Sequence, residues 1–405
     1  MTYQPSQKIL AKYADILVNF ALNQGKGIKK GEIVQLIIGE SAKPLLVELR
    51  KAILKAGGHM ILKYLPEDDE KYNLSKDFYD LASDKQIEFF PRKFLKAQIE
   101  TIDHMIGVIS EQDKHALKDV DPAKIMLSNK TMKPYLDWRR VKENQGKFSW
   151  TLALYGTSAM AQEAKLSLQD YWQQIIKACF LDEENPIKKW REVFQETEAI
   201  KTKLLQMQIN KLHIISKNID LWIKLGEKRK WLSGIGNNIP SFEIFTSPDF
   251  KGTDGCVKFN QPLYQYGNLI KDIYLKFKNG KVVEVKASRN QKLLEEMIKV
   301  KGGNQIGEFS LTDGRFSRIT KFMAETLYDE NVGGKNGNMH IALGSSFYDS
   351  YTGKIKQMKK KDWQKLGFND SVIHIDIIST ESREVTAHLK NGTKKVIYKD
   401  GRFVI

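Results

Sequence analysis

The chain has 405 residues, 41% hydrophobic and 28% charged, with 65 Lys and Arg against 49 Asp and Glu for a net charge of +16. That is ordinary for a folded protein long enough for two cored domains, and no apolar run approaches the ~18 residues that span a bilayer. Two distant cysteines, Cys179 and Cys256, form neither a disulfide framework nor a thiolate metal site, and the opening Met1 to Lys8 lacks the apolar core of a signal peptide, so a cytoplasmic, reduced setting is expected.

In chain order, Ile9, Leu10, Tyr13, Ile16, Leu17, Phe20 and Ala21 fall on one helical stripe. Glu32 to Ile38 reads as a buried strand, Pro44 onward as a helix stopping at Gly57-Gly58, and His59 to Tyr64 as the next strand. Strand, helix, strand at this spacing is a βαβ unit, which predicts a parallel sheet with a right-handed crossover. His104 to Ile109 is a further strand; His59 and His104 read as strand-end residues and not as ligands. From about Asp121 to Asn210 the pattern is largely helical, with a strand at Trp150 to Tyr155. Long helices are expected over Ser167 to Phe180 and Pro186 to Leu212, the second opened by its proline, with Tyr171, Trp172 and Trp190 in the core.

Near Leu212 the texture changes to short strands with Gly and Asn turns. Leu221 to Leu225, Ile273 to Phe277, Val282 to Val285, Ile341 to Leu343, Val372 to Ile378, Val385 to Leu389 and Val396 to Tyr398 read as strands, with Asn279-Gly280 and Asn391-Gly392 as hairpin turns. A helix is expected over Leu293 to Val300. The expected architecture is an α/β N-terminal domain (1–210) with a parallel sheet and a helical segment, then a β-rich, mainly antiparallel α+β domain (211–405).

The chemistry-bearing residues interrupt apolar strands in that second half. Glu243 opens Glu243-Ile244-Phe245-Thr246, Glu308 follows Gly307, His340 sits in Met339-His340-Ile341-Ala342-Leu343-Gly344, and His374 and Asp376 lie in Val372-Ile373-His374-Ile375-Asp376. Residues two apart share a strand face, so His374 and Asp376 point the same way. Each piece has an ordinary reading: a satisfied strand histidine, an His-x-Asp ion pair, a turn glutamate. Together they offer three carboxylates and two imidazoles, a mixture suited to Zn, Mn or Co, and burying such groups is costly without a compensating cation.

These pieces resemble the metal-binding motifs of the aminopeptidase T/aminopeptidase S family of dimetal aminopeptidases. The likeness extends to Asn218-Ile219-Asp220-Leu221, Trp231, Asn238-Ile239-Pro240, and Thr246-x-Pro248. Earlier in the chain it includes Gly156 to Ala161, Ala178-Cys179, Asp182, Asn185-Pro186 and Trp190. One departure is Ser241-Phe242, where the family carries Asp-Gly.

The resemblance implies two divalent ions (Zn, Co or Mn) held by Glu243, Glu308, His340, His374 and Asp376, with Glu308 bridging them. It also implies removal of the N-terminal residue from peptides with a free N-terminus, a homodimer, and an enclosed chamber that favours short peptides. A family tyrosine that steadies the oxyanion falls here at Phe347, so Tyr348, one residue on, is expected to take that role, with Phe347 lining the substrate site. A dimetal esterase or phosphoesterase, or a basic binding protein on the same fold, are the alternatives. The net charge raises nucleic acid and anionic membranes as partners. Neither is expected, because Lys is spread along the helices and the densest run, Lys354 to Lys365, interleaves Ile355, Met358 and Trp363 without a nucleic-acid motif.

Overall fold

The computed structural model describes residues 3–69, 71–234 and 236–405. Met1 and Thr2, the first residues of the opening stretch read for a leader, lie outside the described residues. Among the described residues no helix is long and apolar enough to cross a membrane.

The N-terminal part is built on a four-stranded parallel sheet ordered His59–Leu65, Ile33–Gly39, His104–Ile109, Ser149–Leu154. Val34, Leu36 and Ile38 of the second of these are fully buried, as its apolar run predicts. The opening helix, Gln7–Ile16, starts at Ser6, whose side chain accepts from the Ile9 N–H, and continues as a wider turn through Ala21. His104 is satisfied without a metal: one ring nitrogen lies 2.8 Å from Glu32 and the other 2.9 Å from Ser149.

The helix beginning at Pro186 is capped by Asn185, but it ends at Gln206 and not at Leu212. Gln208 takes a left-handed φ of 49°, and Ile209–Ile215 is a strand. Its buried Ile209, Leu212 and Ile214 switch from helical spacing to strand alternation, a change no Gly or Pro announces. This strand lies within an eight-stranded antiparallel sheet that also holds the Asn279-Gly280 hairpin, where both turn residues have positive φ, 52° and 76°.

The sheet that positions the site has five antiparallel strands: His374–Ser379, Asn338–Gly344, Ile306–Thr312, Glu243–Thr246 and Leu232–Ser233. One face carries Ile244, Phe309, Leu311, Met339, Ile341, Ile375 and Ile377, all buried in one apolar cluster with residues of the other two large sheets. Burying that face forces the alternate residues, polar ones included, onto the other.

Two of the contacts from the N-terminal part bear on the region around this sheet's polar face. Leu152 donates to Asn237 O and accepts from the Ile239 N–H, both at 2.9 Å, which fixes Asn238 between them. Lys114, its side chain 4% exposed, pairs with Glu111 and lies 2.7 Å from Glu325. Replacing Lys114 by Met is expected to lower stability by about 3–5 kcal/mol, because Glu325 is left buried without its cation. Chemical denaturation followed by tryptophan fluorescence checks this.

Candidate metal centre

Strand register brings the five candidate residues together. Across an antiparallel pair, directly opposed residues point to the same face. Glu243 opposes Thr312, Ser310 opposes His340, and Glu308, Ala342 and Asp376 form one row across three strands. Glu308, Ser310 and Thr312 alternate along their own strand, as His374 and Asp376 do along theirs, so all five groups project from one face. Ala342, between Glu308 and Asp376, leaves room for them. Gly307 is required beside Glu308, because an added Cβ would meet Ser345 O at 2.4 Å and Gly344 O at 2.5 Å.

The spacing is that of atoms gathered about common points. His340 Nε2 lies 3.7 Å from Glu243, 3.6 Å from Glu308 Oε1 and 3.7 Å from Asp376 Oδ1. His374 Nε2 lies 3.1 Å from Glu308 Oε2 and 3.3 Å from Asp376 Oδ1. Donor atoms held about 2.0–2.1 Å from one tetrahedral ion sit about 3.3 Å apart. Two triads follow, Glu243-Glu308-His340 and Glu308-His374-Asp376, each with donor atoms within 4.8 Å of one another, and Glu308 belongs to both. Asp376 Oδ1, one of the gathered atoms, is buried without a hydrogen-bond partner in the protein. Such an orphaned atom fits a cation site better than a closed hydrogen-bond network.

Neighbouring groups orient the candidates. His374 Nδ1–H donates to Ser345 O at 2.8 Å, which turns the Nε2 lone pair toward Glu308 and Asp376, as a metal-binding imidazole requires. Ser241 Oγ–H donates to Glu243 at 2.8 Å. Glu243, Glu308 and His340 are sealed below the surface, whereas the His374 and Asp376 side chains keep 26% and 17% of their exposure, so the cluster opens on their side.

The electrostatics have one sense. Burial would lower the His340 imidazole, yet Glu308, Asp376 and Glu243 hold it up at about 9. Burial also works against charge on His374, but Asp376 and Glu308 raise it well above its ordinary value. Burial pushes the Glu243 carboxyl up to about 7, against the pull of His340 and with the repulsion of Glu308 and Asp376. Asp376 is pulled below its ordinary value because His374 outweighs its burial. The face favours positive charge and discourages a further anion.

One residue of this site escapes sequence reasoning. Glu330 follows the short helix Thr326–Asp329 and presents its carboxyl to His340 and Asp376, forming a third triad. Asn238 donates to it at 3.1 Å, and burial, then repulsion by Glu243, Asp376 and Glu308, raises it well above the carboxylate range. Its neighbours anchor the segment: Asn331 accepts the Phe242 N–H at 2.6 Å, and Asp329 accepts from Met323 and Glu325. Three consecutive polar residues between Leu327-Tyr328 and Val332 are the only sequence signal.

The two aromatic candidates part company. Phe347 sets its ring 4.9 Å from that of His374 and 5.4 Å from Phe245, at the open side of the cluster. Tyr348 stacks on Trp363 at 4.3 Å, with Phe368 edge-on and the Arg140 guanidinium 5.0 Å from its ring.

Comparison with known proteins gives the same direction along the whole chain. A family model described as thermophilic metalloprotease (M29) matches residues 6–403. Aminopeptidase AmpS of Bacillus subtilis is 27% identical over 98% of each chain. Aminopeptidase T of Thermus aquaticus is 27% identical over 59% of this chain and 60% of its own. Among solved structures, wild-type AmpT from Thermus thermophilus matches with a TM-score of 0.82 at 20% identity, covering 98% of this chain and 100% of that one, which shows a shared fold.

Replacing His340 or Asp376 by Ala is expected to lower the divalent metal retained after dialysis by more than about tenfold, since even outer partners of a metal site carry 10–100-fold effects. His388→Ala, on a strand of the eight-stranded sheet beside Trp222, should leave the content unchanged. Elemental analysis of the dialysed proteins reads both.

Proposed function

The chain belongs to the thermophilic metalloprotease family M29, and from that premise we propose a metalloaminopeptidase that removes the N-terminal residue from short peptides at a dinuclear centre. Glu243, Glu308, His340, His374 and Asp376 would hold the two ions. The observation that supports this most directly is the divided contact of Glu308, whose Oε1 faces His340 while its Oε2 faces His374. A carboxylate that would bridge two ions through both oxygens presents them in this divided way. Charge balance agrees: Glu243, Glu308, Asp376 and the adjacent Glu330 carry four negative charges when ionised, the amount two divalent cations neutralise. Zn, Co and Mn all suit this nitrogen and oxygen donor set.

When bound, divalent ions supply Lewis acidity toward a carbonyl and an acidified water. The chain's own residues do the rest. Ser345 and Ser241 hold His374 and Glu243 in orientation, and Glu308 keeps the two triads in one frame. Phe347 covers His374 with an apolar ring, where it would pack against the substrate and exclude water. A free α-amino group, deprotonated on entering from the open side, would serve as a further nitrogen ligand of the loaded centre. That is the basis for trimming ends and not cutting internally.

Tyr348 is the candidate donor to the developing oxyanion. Leaving its present place costs about 0.5–1.5 kcal/mol for each of the Trp363 and Phe368 ring contacts and about 0.5–1 kcal/mol for the Arg140 contact. An oxyanion donor lowers the barrier by about 2.7–4 kcal/mol, so recruitment during turnover is energetically reasonable through the Gly344-Ser345-Ser346 turn.

The assembly is read as a homodimer, with residues 1–210 as scaffold and 211–405 as the catalytic part. The outer strand of the parallel sheet, His59–Leu65, exposes Ile61, Leu62, Tyr64 and Leu65. Following segments add Leu81 at 84% exposure, Phe89 at 73% and Phe94 at 69%. Apolar exposure beside an open sheet edge is what a second copy would cover. A cytoplasmic setting fits the two unpaired cysteines.

Metal-loaded protein is expected to cleave leucyl-p-nitroanilide and to leave its N-acetylated form intact, with chelator abolishing activity without unfolding and Zn, Co or Mn restoring it. Equal cleavage of the blocked substrate would sink the exopeptidase reading, and turnover of phosphate or simple esters in its place would point to another hydrolase. Tyr348→Phe should cut kcat about 10²-fold with KM and metal content little changed. An unchanged kcat would make Tyr348 a packing residue on Trp363.

A further inference from the structure

A cavity of about 580 Å³ lies beside the candidate centre, within the roughly 300–1,000 Å³ range of small-molecule sites. Its apolar wall includes Met126, Leu127, Val300 and Val372, and its rim carries Lys130, Lys133, Lys301 and Lys360 with Asp370 as the one lining carboxylate. Asp370 is already satisfied. Lys133 lies 2.8 Å from it, Lys360 2.9 Å and Arg140 3.4 Å. Those cations hold it well below the carboxylate range, against its burial. Lys133 also pairs with Asp137. Lys130 and Lys301 are exposed and have no ion-pair partner among the described residues. The rim therefore keeps an excess of positive charge directed at an apolar hollow.

The cavity is joined to the metal-binding face by the chain itself. Val372 sits in the bend just before the strand His374–Ser379 and continues its burial alternation, half-buried like His374 and Asp376 where Ile373, Ile375 and Ile377 are buried. Two virtual bonds of ~3.8 Å put the Val372 and His374 Cα atoms no more than about 7.6 Å apart. This is also the side on which the cluster opens. Arg140 spans the gap, donating to Ser345 Oγ at 2.9 Å, while the Ser345 carbonyl fixes His374.

We propose that this cavity is the subsite for the C-terminal carboxylate of a di- or tripeptide substrate, its lysine rim selecting short peptides that end in a free acid. An extended peptide spans ~3.3–3.6 Å per residue, so two or three residues reach from the face of His374 into the hollow. Side-chain charge varies from peptide to peptide, whereas the terminal carboxylate is present in every unmodified one. Its distance from the amino end is fixed by length, so a cation rim here measures length as well as charge. The apolar wall takes the last side chain, and the lysines meet the acid. The proposal rests on the aminopeptidase reading above and names the substrate class that this reading leaves open.

The test compares Leu-Leu and Leu-Leu-Leu with their C-terminal amides, using metal-loaded wild type and the Lys130→Gln/Lys301→Gln double variant. Wild type is expected to favour the free acid about tenfold in kcat/KM, mainly through KM, the size of one charge-assisted hydrogen bond. In the double variant that ratio should fall toward one, while Lys395→Gln, on an exposed position of the eight-stranded sheet, should keep it. Calorimetric titration with the same peptides gives the second readout, and acetate the third. Hydrolysis without preference for the free acid would overturn the subsite and leave the aminopeptidase reading standing. Preferential binding of the free acid without hydrolysis would do the reverse. Acetate binding as tightly as the dipeptide would show a general anion site and overturn the peptide assignment.

Discussion

Mutual repulsion among buried carboxylates is the constraint around which this molecule is arranged. Glu243, Glu308 and Asp376 share one face of a sheet and Glu330 meets them from the segment after a short helix, and two like charges 4 Å apart at a partly solvated site repel by about 4 kcal/mol. Hydrogen bonds to protein do not relieve this, since Asp376 Oδ1 has no such partner and Glu243 receives a single hydroxyl. Positive charge does relieve it, and four of the five perturbed groups respond in that sense, Asp376 alone being held ionised by the neighbouring imidazoles. Both imidazoles are held protonated beyond their usual range, and Glu243 and Glu330 resist ionisation. A site that strains toward cations in this way is disposed to bind metal.

The rest of the fold keeps those groups from escaping one another. The apolar face of the five-stranded sheet is buried in the main core, so a slip of any strand that carries a candidate residue by one residue would bury its polar set and expose Ile, Phe or Leu. Register is thereby fixed by hydrophobic burial, and the geometry of the candidate residues inherits its precision from the core. The parallel sheet contributes at a distance. Leu152 fixes Asn238, Asn238 holds Glu330, and Lys114 anchors Glu325 just before the helix that leads there. A lysine-rimmed hollow is lined by Ser371 and Val372, just before the strand that carries the candidate residues His374 and Asp376.

Much of this is legible in the amino-acid sequence because it depends on local periodicity. The alternation through Val372 to Ile377 is enough to place His374 and Asp376 on one face, and the βαβ spacing from Glu32 to Tyr64 predicts the parallel pairing that is found. What is illegible depends on contacts distant in sequence. Asp329-Glu330-Asn331 has the composition of a surface turn, yet it is buried because Phe242, Asn238 and Met323 come to meet it. Tyr348 carries no local sign that Trp363 will stack on it. The helix after Pro186 stops at Gln206, short of the Leu212 that its apolar spacing suggests, because Gln208, not a glycine, makes the left-handed turn into the next strand.

The central claim is that Glu308 joins two metal positions, and locating the ions tests it most directly. Crystals grown with cobalt, measured at the cobalt absorption edge, should show two anomalous peaks per chain about 3.5–4 Å apart. One peak should lie beside Glu243 and His340 and the other beside His374 and Asp376, with Glu308 contributing one oxygen to each. A single peak, or two peaks of which only one touches Glu308, would contradict the account.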